Sequence, residues 1–344
     1  MTEDKRQTPL HRFWAGALKT LPSPSAPALQ RVSPVSFLAL GFPLAGCNDG
    51  TGARSAPAEI SGSAQKGSLE NFRVFLDQNG DGLFDPGEVG TLSAEDGSFT
   101  LPASAQTISG HSTDSTIDHA SGQVLTSVFL HAPPGATVIS PLTTIIHQTG
   151  HSEDAVRAAL GLEVDLLHFS PFDANNVRSF EAMRVEHASQ QVIALNRSLT
   201  GLGEGLGLDS HDAFLLAANA TNAFISEHIR SGHQGAVALW GQDNINAIVD
   251  SFGAALAGNA LYADAFSDLR PELVTALDLI NQRILAVGDI TSAEARAVFT
   301  LPAQLYDEIK AAAAALMGGG AHTSLTLDSW SSIRAAVSEN GYTA

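Results

Sequence analysis

The hydrophobic pattern of the chain changes period at Ser140, and this change restricts the possible folds more than any other feature. Before it, short runs with β-branched and aromatic residues alternate with Gly, Asp and Pro, as in strands joined by turns. The run over residues 72–76 alternates with the period of two that a half-buried strand shows. After Ser140, apolar residues recur at spacings of three and four, which is typical of helices. We therefore predict an α+β fold with a small antiparallel β-sandwich over residues 59–138, followed by an all-helical bundle domain over residues 139–344.

The same periodicity predicts individual elements. Strands are predicted at residues 60–64, 72–76, 98–101 and 124–131, and helices at 141–149, 152–160, 178–199, 211–230, 243–257, 270–286, 291–298, 302–317 and 327–338. Ser152 and Asp209 stand where N-caps of two of these helices are expected. Glycines occupy alternate positions over residues 201–207 but lack the third glycine of a nucleotide-binding loop, so we predict a hinge between helices there.

The segment over residues 77–88 has the residue types and spacing of a calcium loop. Oxygen-bearing side chains stand at loop positions 1, 3, 5, 9 and 12, and glycine stands at position 6, where the loop turns sharply. Calcium takes about six to eight oxygen ligands, one of them the main-chain carbonyl at position 7. The predicted Ca²⁺ ligands are Asp77, Asn79, Asp81, Leu83 through its carbonyl, Asp85 and Glu88. The alternative is an acidic hairpin turn without metal, because Asn-Gly and Asp-Gly pairs form turns by themselves.

The first 47 residues have the composition of an export signal. They contain five basic and two acidic residues, and an apolar run over residues 35–46 ends at Cys47, the single cysteine of the chain. This run is shorter than the roughly 20 residues that span a bilayer. The segment Leu44-Ala45-Gly46-Cys47 resembles the lipobox of bacterial lipoproteins. The resemblance implies that residues 1–47 contain a lipoprotein signal peptide and that acyl chains on Cys47 anchor the protein to a membrane.

Two further expectations concern the region after the lipobox. Asn48 rather than Asp follows the cysteine, which by resemblance to enterobacterial sorting favours the outer membrane of a bacterial cell envelope. Residues 48–58 contain little that a core can bury and are predicted to form a flexible tether.

Several short motifs surround the predicted calcium loop. Ile60, Gly62 and the strand over residues 72–76 lie before the loop, and the segment Asp96-Gly97-Ser98-Phe99 lies after it. Together they resemble the carboxypeptidase-regulatory-like and serine-aspartate-repeat B-type β-sandwich modules of bacterial surface proteins. Those modules are stalks and adhesive or structural units, so the resemblance implies a role in which calcium stiffens the fold and does not signal.

Composition excludes several other classes of protein. The chain has 18 Lys and Arg residues against 36 Asp and Glu residues, for a formal charge of −18, so a nucleic-acid partner is not expected. One cysteine excludes an internal disulfide framework, a four-cysteine zinc site and an iron–sulfur cluster. Residues His147 and His151 have the spacing of a metal-binding pair but no acidic ligand beside them. The adjacent pairs Glu186-His187 and His211-Asp212 are predicted to be solvated.

No G-x-S-x-G, H-E-x-x-H, Walker or S-x-x-K motif occurs with a usable context. The sequence therefore predicts a non-catalytic, lipid-anchored cell-envelope protein that serves in surface binding, in adhesion or as a structural subunit. Its expected partners are the membrane, through Cys47, and a protein or surface polymer. The alternative is that the helical domain is an enzyme or small-molecule receptor, with the sandwich as a spacer.

Overall fold

Strands occupy the first part of the described chain and helices the rest, which confirms a mixed α+β class. The computed structural model describes residues 58–322 and 324–326. Within these residues the strands are β1 (Glu59–Ala64), β2 (Leu69–Glu70), β3 (Arg73–Asp77), β4 (Gly90–Leu92), β5 (Ser98–Pro102), β6 (Thr107–His111), β7 (Ile117–Asp118), β8 (Gln123–Val124), β9 (Phe129–Ala132) and β10 (Val138–Ile139). The helices are α1 (Pro141–Thr149), α2 (Glu153–Ala159), α3 (Phe180–Gly205), α4 (Ser210–Arg230), α5 (Gln242–Leu256), α6 (Ala260–Leu285) and α7 (Ala293–Met317).

The strands form three small sheets with the orders β10-β1-β5, β2-β7-β8 and β4-β3-β6-β9. All pairs are antiparallel except β1 with β10. One hydrophobic cluster contains side chains from β1, β3, β5, β6 and β9, and helix α3 adds Ile193 to it. A smaller cluster joins Phe129 of β9 to Phe214 and Ala218 of α4. The strands and the helices thus share apolar contacts.

Side-chain caps fix where several helices begin. Ser140 and Thr143 form a reciprocal capping box at the start of α1, whose first residue is Pro141. Ser152 accepts a hydrogen bond from the Ala155 N–H, and Asp209 accepts one from the His211 N–H. The structure therefore confirms both predicted N-caps.

Helix α3 is the central helix of this part of the molecule. Every residue over positions 185–203 is buried, and the helix packs against α1, α4, α6 and α7. It is not purely apolar, because Glu186, His187, Gln190 and Arg197 are among its buried residues. The prediction that Glu186 and His187 form a solvated surface pair is therefore wrong.

The glycines over residues 201–205 do not form a hinge. Helix α3 runs through them and ends at Gly205, and the chain turns at Gly207, where φ is +98°. Their function is close helix packing: a Cβ at Gly201 would lie 2.6 Å from the carbonyl oxygen of Tyr306, and one at Gly203 would lie 2.9 Å from Cβ of Ala213. Helices α7 and α4 therefore approach the backbone of α3 directly.

Two helices contain prolines that lie at or next to predicted helix starts. Helix α7 replaces the predicted pair at 291–298 and 302–317 and contains Pro302, and helix α6 begins ten residues before the predicted start and contains Pro271. A proline inside a helix removes one backbone hydrogen bond, and here packing against other helices compensates for that loss.

The described residues all belong to one compact unit. Cys47, the predicted signal peptide, most of the predicted tether and the predicted helix at 327–338 lie outside them. Among the described helices, none combines the length and the apolar character that a membrane crossing needs.

Candidate metal centre

The predicted calcium loop connects β3 to β4, two adjacent antiparallel strands. Gly80 and Gly82 have φ values of +76° and +77°, so two left-handed residues turn the chain, as glycine allows. Phe84 holds the loop against the sheet: its ring lies 5.4 Å from that of Phe75, and the guanidinium carbon of Arg73 lies 4.7 Å from its centroid. The loop is thus a folded extension of a hairpin.

Asp77, at loop position 1, is buried at the base of the loop. Its Oδ1 accepts a hydrogen bond of 2.6 Å from the Gly80 N–H, and its Oδ2 accepts one of 3.0 Å from the Gly82 N–H. Oδ2 also accepts a hydrogen bond of 2.9 Å from the Ser109 hydroxyl. These bonds fix the carboxylate at the end of β3 and hold the turn around it.

Three predicted ligands from positions 3, 5 and 9 converge. Nδ2 of Asn79 donates to Oδ2 of Asp81 at 2.9 Å and to Oδ2 of Asp85 at 2.8 Å. The amide group thereby separates two carboxylates that repel each other. Oδ1 of Asn79 accepts from the Asp81 N–H at 3.2 Å, and Oδ1 of Asp81 accepts from the Leu83 N–H at 2.9 Å. The side chains at positions 3, 5 and 9 therefore lie together on the exposed side of the loop.

Glu88, at position 12, closes the loop. Its Oε1 accepts from the Gln78 N–H at 2.8 Å and its Oε2 accepts from the Asp85 N–H at 3.0 Å. The last predicted ligand is thus bound to the residue that follows the first, so the two ends of the loop are joined.

The chemistry of these donors suits calcium. The loop carries four acidic side chains and no basic one over residues 77–88, and an ionised carboxylate has about four acceptor sites, so one or two N–H bonds leave room for a cation. The carboxylates are not gathered as a group, however: in the described part of the chain no three His, Cys, Asp or Glu side chains lie close enough to share a metal. Convergence is limited to Asn79, Asp81 and Asp85, so the calcium site remains a prediction.

Two histidines from distant elements lie beneath the loop, and no sequence pattern connects them with it. A Cβ on Gly82 would lie 2.7 Å from Cε1 of His131 and 3.4 Å from Nε2 of His211. His131 is in β9, and its Nδ1 lies 2.9 Å from the Ser109 hydroxyl that donates to Asp77. His211 is in the first turn of α4. The loop is therefore packed on both the sheet and a helix.

The histidines in this region are held in the neutral form. Burial lowers the pKa of His131 to about 4, and the nearby His147 and His211 act in the same direction, whereas Asp77 opposes them. The rings of His131 and His147 are stacked with centroids 5.5 Å apart. Burial also lowers the pKa of His211. No local sequence signal brings these residues together, since they belong to a strand and to two helices.

A second polar cluster, also not predicted, lies where the strands meet α3. Lys66 and Asp118 form an ion pair that is almost fully buried. Nε2 of Gln190 donates to Oε1 of Glu186 at 2.6 Å. Burial raises the pKa of Glu186 to about 8; the bond from Gln190 opposes the rise, the charge of Asp118 adds to it, and Lys66 opposes it. Glu186 is therefore mostly protonated at neutral pH.

Other residues that the sequence singled out do not form sites. Helix α1 ends at Thr149, and Gly150 follows in a left-handed conformation with φ of +67°, so His147 and His151 do not share a helix face.

Comparison of the chain with protein families, with curated proteins and with solved structures gives no match.

Proposed function

We propose that the protein is a non-catalytic, calcium-binding component of a bacterial cell envelope, anchored by lipid at Cys47. The observation that carries the calcium assignment is the convergence of Asn79, Asp81 and Asp85 inside a loop that Asp77 and Glu88 close at its ends. A divalent cation between these side chains would take the place of the Nδ2 donor of Asn79, which now separates the two carboxylates. Its two positive charges would balance the loop more fully than a neutral amide does.

Calcium at this position would stabilise the hairpin of β3 and β4. Asp77 is the last residue of β3, and Glu88 stands two residues before β4. One ion bound to both would therefore hold the two strands in register. Extracellular calcium loops bind with dissociation constants of about 10⁻⁴ to 10⁻³ M. At an ion concentration ten times that constant, the folded state gains about 1.4 kcal/mol.

We further infer that the strands form a β-sandwich followed by a helical bundle. The single hydrophobic cluster that contains side chains of β1 and β5 together with those of β3, β6 and β9 supports this arrangement. The role that follows is a stiff, membrane-attached unit for adhesion, for binding a protein or surface polymer, or for assembly as a subunit.

Calorimetric titration of the full chain with CaCl₂ tests the calcium assignment. We expect one site, with Mg²⁺ binding more weakly because Mg²⁺ requires near-octahedral geometry. The variant Glu88→Gln removes one negative charge from position 12 and is expected to weaken binding at least tenfold. The control Glu95→Gln changes an exposed glutamate outside the loop and should leave the titration unchanged. Equal affinities of the wild type and of Glu88→Gln would refute the ligand assignment.

The lipid anchor has its own test. In cells labelled with a palmitate analogue, the wild type should carry label and sediment with membranes, whereas Cys47→Ser should do neither. Retention of label by Cys47→Ser would overturn the anchor without affecting the calcium assignment.

A further inference from the structure

Arg197 of helix α3 is a buried cation without a bonded partner. Arg197 is 3% exposed, and its guanidinium carbon lies over the ring of Tyr306, 4.9 Å from the ring centroid. Among the described residues none accepts a hydrogen bond from the guanidinium group, and its Nε atom is fully enclosed without a partner. The group has five N–H donors and stays charged. Buried charges are normally paired, because an isolated one is very unfavourable.

Three carboxylates, those of Asp118, Asp307 and Glu204, attract the charge of Arg197, but in the described part of the chain none of them accepts a hydrogen bond from its guanidinium group. Asp118 is paired with Lys66 and accepts from the Ser121 hydroxyl at 2.6 Å. Glu204 accepts from the Tyr306 hydroxyl at 2.5 Å and from Nζ of Lys310 at 2.6 Å. Asp118 and Glu204 therefore bind other groups, and Asp307 acts on Arg197 through its charge alone.

Glu186, one further acid on α3, does not add a negative charge to this region. Burial raises its pKa to about 8 although the hydrogen bond from Gln190 opposes the rise, so the side chain is mostly protonated at pH 7. Arg197 is thus attracted by carboxylates of the described chain but donates no hydrogen bond to any of them.

Further hydrogen-bonding groups lie beside the ring that Arg197 covers. The hydroxyl of Ser127 is 3.2 Å from that of Tyr306, and Nζ of Lys310 is 3.3 Å from it. Ser127 has a φ of +55°, a left-handed conformation that is uncommon for residues other than glycine. Such conformations cluster at ligand sites, where surrounding contacts hold them. Hydroxyl groups and an ammonium group therefore accompany the unpaired guanidinium at the contact between the β8–β9 connection and α7.

We propose that Arg197 binds a small oxyanion, a carboxylate or a phosphate, in the interface between the strands and helices α3 and α7. The planar guanidinium donates two parallel N–H bonds to a pair of oxygens, and both carboxylate and phosphate present such a pair. The bound anion supplies the hydrogen-bond acceptors that the described chain does not. This site is separate from the calcium loop and would give the helical part a ligand-binding role of its own.

An anion enclosed at this depth should accompany the purified protein. We would denature the wild type in acid and analyse the released small molecules by anion chromatography and mass spectrometry. About one equivalent of an oxyanion is expected from the wild type and less than a tenth of that from Arg197→Lys and Arg197→Met. The control Arg230→Met changes an arginine that is 63% exposed and should release as much as the wild type.

Thermal unfolding in calcium-free buffer gives an independent readout. After dialysis, acetate or inorganic phosphate is compared with chloride at equal ionic strength, and the two arms distinguish carboxylate from phosphate. At ten times the dissociation constant of the effective anion, the wild type should melt about 3 °C higher than in chloride. Arg197→Lys keeps the positive charge but loses the paired N–H donors of the guanidinium group. Its melting temperature should therefore change less than half as much as that of the wild type. Arg230→Met should respond as the wild type does.

Two results would overturn the proposal. One is the absence of both a released oxyanion and a difference between anions and chloride for the wild type. The other is a higher melting temperature of Arg197→Met in every salt, because replacing an unpaired buried cation with an apolar side chain stabilises a protein. If Arg197→Met does not fold, the wild type and Arg197→Lys decide the question.

Discussion

Replacing Glu186 with glutamine should make the protein more stable at alkaline pH and leave it nearly unchanged at acidic pH. Glu186 is 1% exposed, and burial raises its pKa from 4.5 to about 8. An acid whose pKa is raised in the folded state binds its proton more tightly there than in the unfolded chain. Its contribution to stability is therefore complete below about pH 4.5 and is lost as the pH rises through 8.

The size of this loss follows from the two pKa values. Each pKa unit corresponds to about 1.4 kcal/mol, so a rise from 4.5 to about 8 amounts to about 5 kcal/mol at most. Relaxation of the buried cluster lowers that figure, and we expect about 3 to 5 kcal/mol. Glutamine has the shape of the protonated side chain and does not ionise, so Glu186→Gln should remove this pH-dependent loss.

Urea unfolding followed by far-ultraviolet circular dichroism at several pH values from 5 to 9 measures the effect. The free energies of unfolding of the wild type and of Glu186→Gln should agree within about 1 kcal/mol at pH 5 and separate progressively above it. The exposed-site variant Glu95→Gln should follow the wild type throughout. Parallel curves for the wild type and Glu186→Gln would refute the reasoning, since they would mean that Glu186 ionises equally easily in both states.

Two other predictions concern packing and a buried histidine. Gly201→Ala should lower the free energy of unfolding by about 1 to 3 kcal/mol, because the new Cβ would lie 2.6 Å from the carbonyl oxygen of Tyr306. The control is Gly288→Ala, whose new Cβ meets no atom within 4 Å. Equal free energies of unfolding of the two variants in urea would contradict the packing argument. The lowered pKa of His131, about 4, means that stability from its neutral ring is complete above about pH 6.5 and is lost as the pH falls through 4. In an NMR titration its ring signals should stay at neutral-form positions down to about pH 5, and a midpoint near 6.5 would contradict its burial.

Local sequence patterns predicted the class of most elements and some of their boundaries. The helix over residues 141–149 and the caps at Ser152 and Asp209 follow from short-range rules, because a cap contacts residues only two or three positions away. The pattern around Val74 likewise identifies β3 as a strand, but residues 74–77 are all buried, so the strand is covered on both faces and the predicted half-buried alternation is wrong. The order of strands before helices was predictable for the same reason.

Contacts between distant residues account for what the sequence did not predict. The glycines over residues 201–205 resemble a hinge until Tyr306 is known to lie against Gly201. The segment over residues 124–131 has the composition of one strand, yet the chain leaves the sheet there and Ser127 adopts a left-handed conformation. Charged residues on a helix are usually exposed, and only the packing of four other helices around α3 explains the burial of Glu186 and Arg197.

The same difference between local patterns and long-range contacts applies to the predicted calcium loop. The spacing of the acidic residues over 77–88 predicts that alternate side chains turn inward, and three of them converge. The contact of Gly82 with His131 and His211 involves residues about 50 and 130 positions away, so spacing contains no information about it.

The apolar contacts between strands and helices have a practical consequence for recombinant work. A fragment that began at residue 139 would leave Ile193 and Phe214 without the strand residues that cover them, and each is 0% exposed in the intact unit. Exposed aliphatic and aromatic side chains of this kind promote self-association. Binding studies and screens for partners should therefore express the chain from Ser55 onward in one piece, and proteolytic separation of its halves is expected to yield precipitate.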